Sequence, residues 1–162
     1  GSLMLDYSHQ PDLLWWLFGA VPRTVYTAGF QGGNMEFTSR PNVAEILCEY
    51  EDHFLATIHL NYLQMPERHE YEVVGDEGWA VLDFNRSALR VGRRRAQTVT
   101  ESSYGVDKDK MVRAEHQAFL DAIAGLRAPE TSAADGLVSA AICEAAVESW
   151  RTRRPVEVRR PC

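Results

Sequence analysis

The sequence predicts an α+β fold, a mostly antiparallel open sheet covered on one face by helices. Two observations lead to this prediction. Segments with period-two alternation occupy the middle of the chain, and two segments with helical periodicity follow them. Strands and helices segregated in this way favour an α+β arrangement over an alternating one. At 162 residues the chain is long enough for a core of its own, and we expect a single domain over residues 1–162.

The first predicted element is a short helix whose body is the apolar run 13–18. Ser8 can act as its N-cap, or Pro11 can lie in its first turn, where the missing N–H costs nothing. Asp12 complements the positive end of the helix dipole, and Gly19 ends the helix. Because residues 13–18 leave almost no polar face, we expect this helix to be buried.

Antiparallel strands follow the helix and form a meander. In the segment 54–63, alternate apolar residues form one face, while Thr57, His59 and Asn61 form a polar row on the other. The predicted strands cover residues 23–30, 43–50, 54–63, 69–75, 79–84, 88–92 and 97–100.

The last third of the chain is predicted to be helical. Residues 107–126 carry apolar side chains at helical spacing, and residues 133–152 form a second helix dense in Ala and Ser. Ser132 and Asp135 resemble a capping box at the start of the second helix, and Pro155 ends it. A short terminal strand over residues 156–158 completes the predicted fold.

Composition and charge exclude several classes of function. The net charge of −6 argues against nucleic acid as a main partner, because phosphate binding requires a surplus of Lys and Arg. The sequence shows no apolar run of membrane-spanning length and no secretion leader, so we expect a cytoplasmic protein without membrane attachment. Cys48, Cys143 and Cys162 lack metal-ligand spacing and suit reduced thiols. The sequence contains neither a phosphate-binding glycine loop nor a metal-ligand cluster.

His9 is the strongest candidate for chemistry. It lies between two acids, Asp6 and Asp12, at the start of a helix, and imidazole can take or give a proton near neutral pH. A neighbouring carboxylate would orient the ring for proton transfer. The alternative is that His9 caps the helix and hydrogen-bonds to Asp6 or Asp12 without any chemistry. Spacing alone leaves both interpretations open.

The remaining histidines carry weaker signals. His53 falls in a predicted turn, His69 begins a strand and His116 lies on the apolar face of a helix, so we interpret these three as structural. His59 differs because it shares a polar row with Thr57 and Asn61. We therefore keep His59 as a candidate substrate-facing residue.

Residues 1–19 run from a glycine through an apolar stretch, an Asp and a His-x-x-Asp pattern into an apolar helix that ends Leu-x-Gly. This segment resembles the one that opens the substrate site in the Gfo/Idh/MocA family of NAD(P)-dependent sugar oxidoreductases. Other pieces follow in the family's order. Residues 56–62 resemble its substrate-facing strand, residues 74–78 resemble its Gly-x-x-Gly turn, and Arg154-Pro155-Val156 resembles its last strand.

The resemblance implies the C-terminal, dihydrodipicolinate-reductase-like domain of such an enzyme, cut off just before its site motif. NAD or NADP would be bound in the full-length parent by an N-terminal Rossmann domain that is absent from this chain. The resemblance also implies a general acid/base role for His9, assisted by Asp6, although two residues separate them here where many members have three. The implied substrate contacts are Asp12, His59, Asn61 and Tyr62.

We therefore expect this chain to supply the substrate side of a sugar or amino-sugar oxidoreductase. Alone, it should bind neither cofactor nor metal and should be inactive. The expected partners are a small sugar-type substrate, the Rossmann domain and a second copy bound through the open sheet face. The alternative is a stand-alone ligand-binding or assembly domain without catalysis.

Overall fold

The computed structural model describes residues 3–35, 40–51, 54–105 and 107–159. It confirms the α+β class, with antiparallel strands in the middle of the chain and helices at either end. His53, predicted to lie in a turn, falls outside the described residues. The elements are α1 (Leu3–Asp6), α2 (His9–Phe18), β1 (Thr24–Phe30), β2 (Val43–Glu49), β3 (Leu55–Asn61), β4 (Glu70–Gly75), β5 (Gly78–Asp83), β6 (Ala88–Arg93), β7 (Thr98–Ser103), α3 (Lys108–Ile123), α4 (Ala133–Thr152) and β8 (Val156–Glu157).

The strands form two four-stranded sheets where the sequence had predicted one. The first sheet has the order β3-β2-β1-β8 and the second has the order β4-β5-β6-β7. The described residues also group into two compact units, Gly1–Leu63 with Glu130–Cys162, and Gln64–Pro129. Each unit contains one of the sheets. The prediction that residues 1–162 act as a single substrate and oligomerisation domain stays a prediction.

In the first unit, the helices cover one face of the sheet. Alternate residues of β1, β2 and β3, among them Val25, Ile46 and Leu60, are buried against α1 and α4. Burial of this apolar face is the main source of stability for such a layer. The opposite face, which we call the open face, faces away from these helices and consists of Thr24, Tyr26, Ala28, Phe30, Val43, Glu45, Leu47, Glu49, Leu55, Thr57, His59 and Asn61.

Side chains of α4 complete the outer edge of β1. The short strand β8 pairs with Thr24 and Val25, and further along that side β1 has no strand partner in the part of the chain that the structure describes. The hydroxyl of Ser149 accepts a hydrogen bond from the Thr27 N–H at 2.9 Å, and the Trp150 indole N–H donates to the Gly29 carbonyl at 3.3 Å. Buried backbone groups need such partners, so these two side chains replace a missing strand.

The start of α4 and the end of α2 follow the sequence prediction. The Ser132 hydroxyl accepts from the Asp135 N–H and the Asp135 carboxylate accepts from the Ser132 N–H, which forms the predicted capping box. Gly19 ends α2 with a φ of 60°, a left-handed conformation that glycine adopts without steric cost.

The prediction that the first helix is buried is wrong. In α2, Pro11 is the buried residue, whereas the side chains of Trp16 and Leu17 are 77% and 46% exposed. The helix packs against α4 along one side, and because its apolar residues surround the helix axis, some of them lie on the uncovered side. An apolar run therefore identified the helix but not how much of it is covered.

In the second unit, β4 to β7 form a regular antiparallel meander. The indole of Trp79 lies directly over Gly92, since a Cβ atom there would come within 2.3 Å of the ring. Helix α3 begins after Asp107, whose carboxylate accepts from the Lys110 N–H. No residue of α3 is buried among those described, and His116, which was expected to be a structural residue on the apolar face of this helix, is exposed.

Candidate functional site

The candidate site begins at the turn between α1 and α2. This turn makes His9 the first residue of α2 and leaves it exposed. Ser8 occupies the N-cap position, but its side chain makes no capping hydrogen bond, and the first helical bond comes from the Asp12 N–H to the Ser8 carbonyl. Pro11 lies in the first turn, as predicted, where its missing N–H removes no helical hydrogen bond.

An aromatic ring, rather than a carboxylate, contacts the His9 imidazole. The Tyr7 and His9 rings lie 5.4 Å apart between centroids and are tilted by 44°. Among the described residues, neither ring nitrogen of His9 has a hydrogen-bond partner. The alternative interpretation of His9 as a helix cap bonded to Asp6 or Asp12 therefore finds no support in the geometry.

Asp6 is bound to a side chain from the sheet. The Tyr62 hydroxyl, just beyond β3, donates a hydrogen bond to Asp6 Oδ2 at 2.6 Å. Partial burial raises the pKa of Tyr62 well above its usual range, and the hydrogen bond and charge of Asp6 add to the effect, so the phenol remains a donor. The Tyr62 ring also contacts Tyr7, with centroids 5.9 Å apart. The side chains of Asp6, Tyr7, His9 and Tyr62 thus form one cluster.

Asp12 turns away from this cluster towards α4. Its carboxylate accepts from the Ser139 hydroxyl at 3.0 Å, and one turn further on the Trp15 indole donates to Asp135 at 2.9 Å. Hydrogen bonds from Ser132 and then from Trp15 lower the pKa of Asp135 to about 2. These two bonds join α2 to α4, so Asp12 fixes the helix on which His9 lies.

Asn42 is a supporting residue that sequence reasoning missed. Its side chain is fully buried and both donates to the Gly32 carbonyl and accepts from the Gly32 N–H, each at 2.8 Å. Its own carbonyl accepts from the Tyr62 N–H at 3.0 Å. Asn42 therefore fastens the loop after β1 and holds the backbone of Tyr62. The only signal in the sequence was an Asn next to Pro41 in a predicted loop.

His59 and Asn61 lie on the open face, opposite the helices. His59 Nδ1 bonds to the carboxylate of Glu45, its directly paired residue on β2, and His59 Nε2 contacts the Asn61 amide at 2.7 Å. The predicted polar row therefore exists. The structure does not bring it together with His9, because alternate residues of β3 point to opposite faces.

The geometry thus divides the predicted site residues into two groups. Asp6, His9 and Tyr62 meet on the helix side, with Asp12 one turn further along α2, while His59 and Asn61 lie on the other face. An exposed imidazole whose nitrogens are unbonded can exchange a proton with a hydroxyl brought within hydrogen-bond distance. Within the described ranges, His9 is a histidine that meets both conditions, since it is exposed and its ring nitrogens are unbonded.

The described residues do not fit a dinucleotide cofactor or a metal. A dinucleotide fold requires a mostly parallel sheet with its glycine-rich turn between a strand and a helix. Here both sheets are antiparallel, and the glycines after β1 lie in a loop between two strands. No group of three or more His, Cys, Asp or Glu side chains in the described part of the chain could hold a metal ion.

Burial raises the pKa of Cys48 to about 12 and that of Cys143 to about 11, so these free thiols are poor nucleophiles. None of the described helices is long and apolar enough to cross a membrane.

Solved structures share this fold. Levoglucosan dehydrogenase in complex with NADH and levoglucosan has a TM-score of 0.78 at 18% identity, over 94% of this chain and 48% of its own. The WlbA dehydrogenase from Bordetella pertussis, in complex with NADH and UDP-GlcNAcA, has a TM-score of 0.72 at 19% identity, over 98% of this chain and 45% of its own. UDP-N-acetylglucosamine 3-dehydrogenase GnnA from Acidithiobacillus ferrooxidans has a TM-score of 0.73 at 21% identity, over 93% of this chain and 48% of its own.

A curated relative matches at the sequence level. It is the UDP-N-acetylmuramoyl-L-alanyl-D-glutamate–2,6-diaminopimelate ligase of Oceanobacillus iheyensis, 26% identical over 115 residues, which are 68% of this chain and 22% of the relative. The chain therefore spans less than a quarter of this relative and about half of the solved structures above. At these identities the structures establish the fold alone.

The family itself follows from a match over nearly the whole chain. The description of the matching family is "Oxidoreductase family, C-terminal alpha/beta domain", and it covers residues 1–158. This match includes both compact units and every element from α1 to β8. The chain belongs to the Gfo/Idh/MocA oxidoreductase family, as its C-terminal alpha/beta domain.

Proposed function

We propose that this chain is the substrate side of a longer NAD(P)-dependent oxidoreductase that acts on the CH–OH group of a sugar or amino sugar. The observation that carries the proposal is the exposed His9 imidazole, fixed at the start of α2 with no hydrogen-bond partner in the described residues. Similar folds bind NADH together with levoglucosan or UDP-GlcNAcA, which supports the substrate class.

His9 acts as the general acid/base in this proposal. In the oxidation direction, the substrate hydroxyl donates its proton to His9, and in the reduction direction His9 returns it. Tyr62 and Asp6 belong to the same cluster as His9 and are joined to it through the Tyr7 ring. Asp12 supports the site through its bond to Ser139 rather than by touching the substrate.

The nicotinamide cofactor supplies the hydride chemistry and would be held by a nucleotide domain outside these 162 residues. Under this proposal the chain alone has no dehydrogenase activity and no NAD(P) affinity. Hydride transfer requires the cofactor to be held against the substrate. The role of the chain is to bind and orient the sugar and to move the proton.

The open face supports a second part of the proposal, which is self-association. Phe30 and Leu55 are 61% and 63% exposed there, and Tyr26 is 39% exposed. Large exposed apolar side chains on one sheet face are typical of an interface. Substrate contacts by His59 and Asn61 would require a ligand that approaches this same face.

The same observation favours the rival function, a stand-alone assembly domain without catalysis. Light scattering of the chain at high concentration tests association under either function, and a monomer would contradict both. Catalysis separates the two functions. We would assay the full-length natural gene product for nicotinamide reduction with a panel of free sugars and UDP-sugars. Activity supports the dehydrogenase proposal, whereas a natural product of only 18.3 kDa, inactive on the panel, would support the assembly domain.

A further inference from the structure

Both carboxylates near His9 are occupied by other partners. Asp6 accepts from Tyr62, which is 56 positions away in the chain, and Asp12 accepts from Ser139, 127 positions away. The side chain in contact with the imidazole is Tyr7. In this geometry neither carboxylate is hydrogen-bonded to the imidazole, although a carboxylate is a common orienting group for a proton-transferring histidine.

We propose that Tyr7 and Tyr62 are positioning residues for His9, and that Asp6 acts by anchoring Tyr62 rather than by taking part in proton transfer. This inference rests on the proposed function of His9. The Tyr7 ring lies between two others, 5.4 Å from His9 and 5.9 Å from Tyr62. Tyr7 therefore contacts both rings, and a shift of the Tyr62 ring would move Tyr7 and, with it, the His9 imidazole.

The link is anchored at its sheet end. The Tyr62 backbone donates to the carbonyl of the fully buried Asn42, and its hydroxyl donates to Asp6 at the end of α1. The first bond fixes the backbone of Tyr62 and the second fixes the hydroxyl end of its side chain, so its ring is held against Tyr7. Helix α1 has only four residues and gains support from this bond to the sheet. Fixed tilted ring pairs of this kind add favourable contact energy beyond area burial.

Single substitutions distinguish anchoring by Asp6 from chemistry by Asp6. Asp6→Asn removes the negative charge but keeps an oxygen that can accept from Tyr62. Tyr62→Phe keeps the ring and removes the donor. If Asp6 only anchors, Asp6→Asn should stay within about threefold of the parent kcat, while Tyr62→Phe should lower kcat about tenfold with KM changed less than about twofold.

The Tyr7 contact is tested in the same full-length enzyme. Tyr7→Leu should lower kcat about tenfold, and Tyr7→Phe, which preserves the ring, should restore it to within about twofold of the parent. A merely structural role would not give the split between kcat and KM expected for Tyr62→Phe. It would also not give the retention of kcat in Tyr7→Phe beside its loss in Tyr7→Leu. Tyr104→Phe, an exposed tyrosine of the second unit, is the matched control and should leave both constants unchanged.

A spectroscopic measurement gives a readout that does not depend on activity. The ring current of Tyr7 shifts the imidazole proton resonances of His9, so Tyr62→Phe should move these resonances and Tyr104→Phe should not. This measurement also shows that the variant protein is folded. Unchanged His9 resonances in Tyr62→Phe would overturn the inference.

The two levels of proposal fail differently. If His9→Gln lowers kcat strongly but Tyr62→Phe and Tyr7→Leu do not, the positioning inference is wrong and the proposed function stands. If Asp6→Asn lowers kcat by about a hundredfold while Tyr62→Phe has no effect, Asp6 takes part in the chemistry and the inference is again wrong. If His9→Gln retains the parent kcat, the proposed function fails, and the inference fails with it.

Discussion

Ser149→Ala should be among the most destabilising conservative substitutions in this chain. Ser149 is fully buried, and its hydroxyl accepts from the Thr27 N–H at 2.9 Å and donates to the Arg154 carbonyl at 2.7 Å. Alanine removes one oxygen atom and leaves both groups without this partner. The Arg154 residue is exposed, so water can replace the lost donor there.

The Thr27 N–H has no such replacement. Thr27 has no exposed surface, and β8 ends before it can pair at this position. An unsatisfied buried backbone donor costs about 1–3 kcal/mol, and the second hydrogen bond contributes about 1 kcal/mol. We expect Ser149→Ala to lower the free energy of unfolding by about 2–3 kcal/mol, which corresponds to a fall in Tm of about 5–10 °C for a chain of this length.

Urea denaturation followed by circular dichroism measures this difference. Ser102→Ala, on the exposed strand β7, is the matched control and should change the free energy of unfolding by less than about 0.5 kcal/mol. A loss below about 0.5 kcal/mol for Ser149→Ala would show that the Thr27 N–H finds water or another partner. That result would refute the conclusion that α4 completes the edge of β1.

Three further predictions concern other parts of the first unit. Asn42→Ala removes both hydrogen bonds to the Gly32 backbone and should lower the free energy of unfolding, measured by urea denaturation, by about 2 kcal/mol. A change below about 0.5 kcal/mol would contradict a stabilising role for these two hydrogen bonds. Cys48 and Cys143, with pKa values raised by burial to about 12 and about 11, should resist iodoacetamide at about pH 8 until urea is added. Rapid alkylation of either of these two residues in the folded chain, located by peptide mass spectrometry, would count against their burial. Asp135 has a folded pKa of about 2, below its ordinary value of 3.8, so its contribution is complete above about pH 4 and is lost as the pH falls towards about 2. Asp135→Asn should reduce the change of the urea midpoint with pH over that range. An unchanged pH dependence of the midpoint would refute the lowered pKa of Asp135.

The sequence predicted the elements of the fold well because local patterns define them. Period-two alternation placed β2 and β3 within two residues of their ends, and the Ser132–Asp135 pair marked the start of α4. Burial was harder to predict. The apolar run in α2 identified a helix, but it could not indicate that Trp16 would be left exposed.

The candidate site shows the same limit at the level of side chains. The sequence identified His9 from its neighbours, Asp6 and Asp12, because both lie within one helical turn of it. It could not reveal that these acids accept hydrogen bonds from Tyr62 and Ser139, which are distant in the chain. Local spacing proposes which groups can meet, and tertiary contacts decide which of them do.

The kcat of His9→Gln in the full-length gene product tests the central claim most directly. Glutamine keeps the polarity and approximate size of the side chain but cannot act as a general acid/base near neutral pH. We predict a fall in kcat of about a hundredfold or more, with His116→Gln, on the exposed helix α3, as an unaffected control. A fall of less than about threefold would contradict the assignment of His9 as the proton-transferring residue.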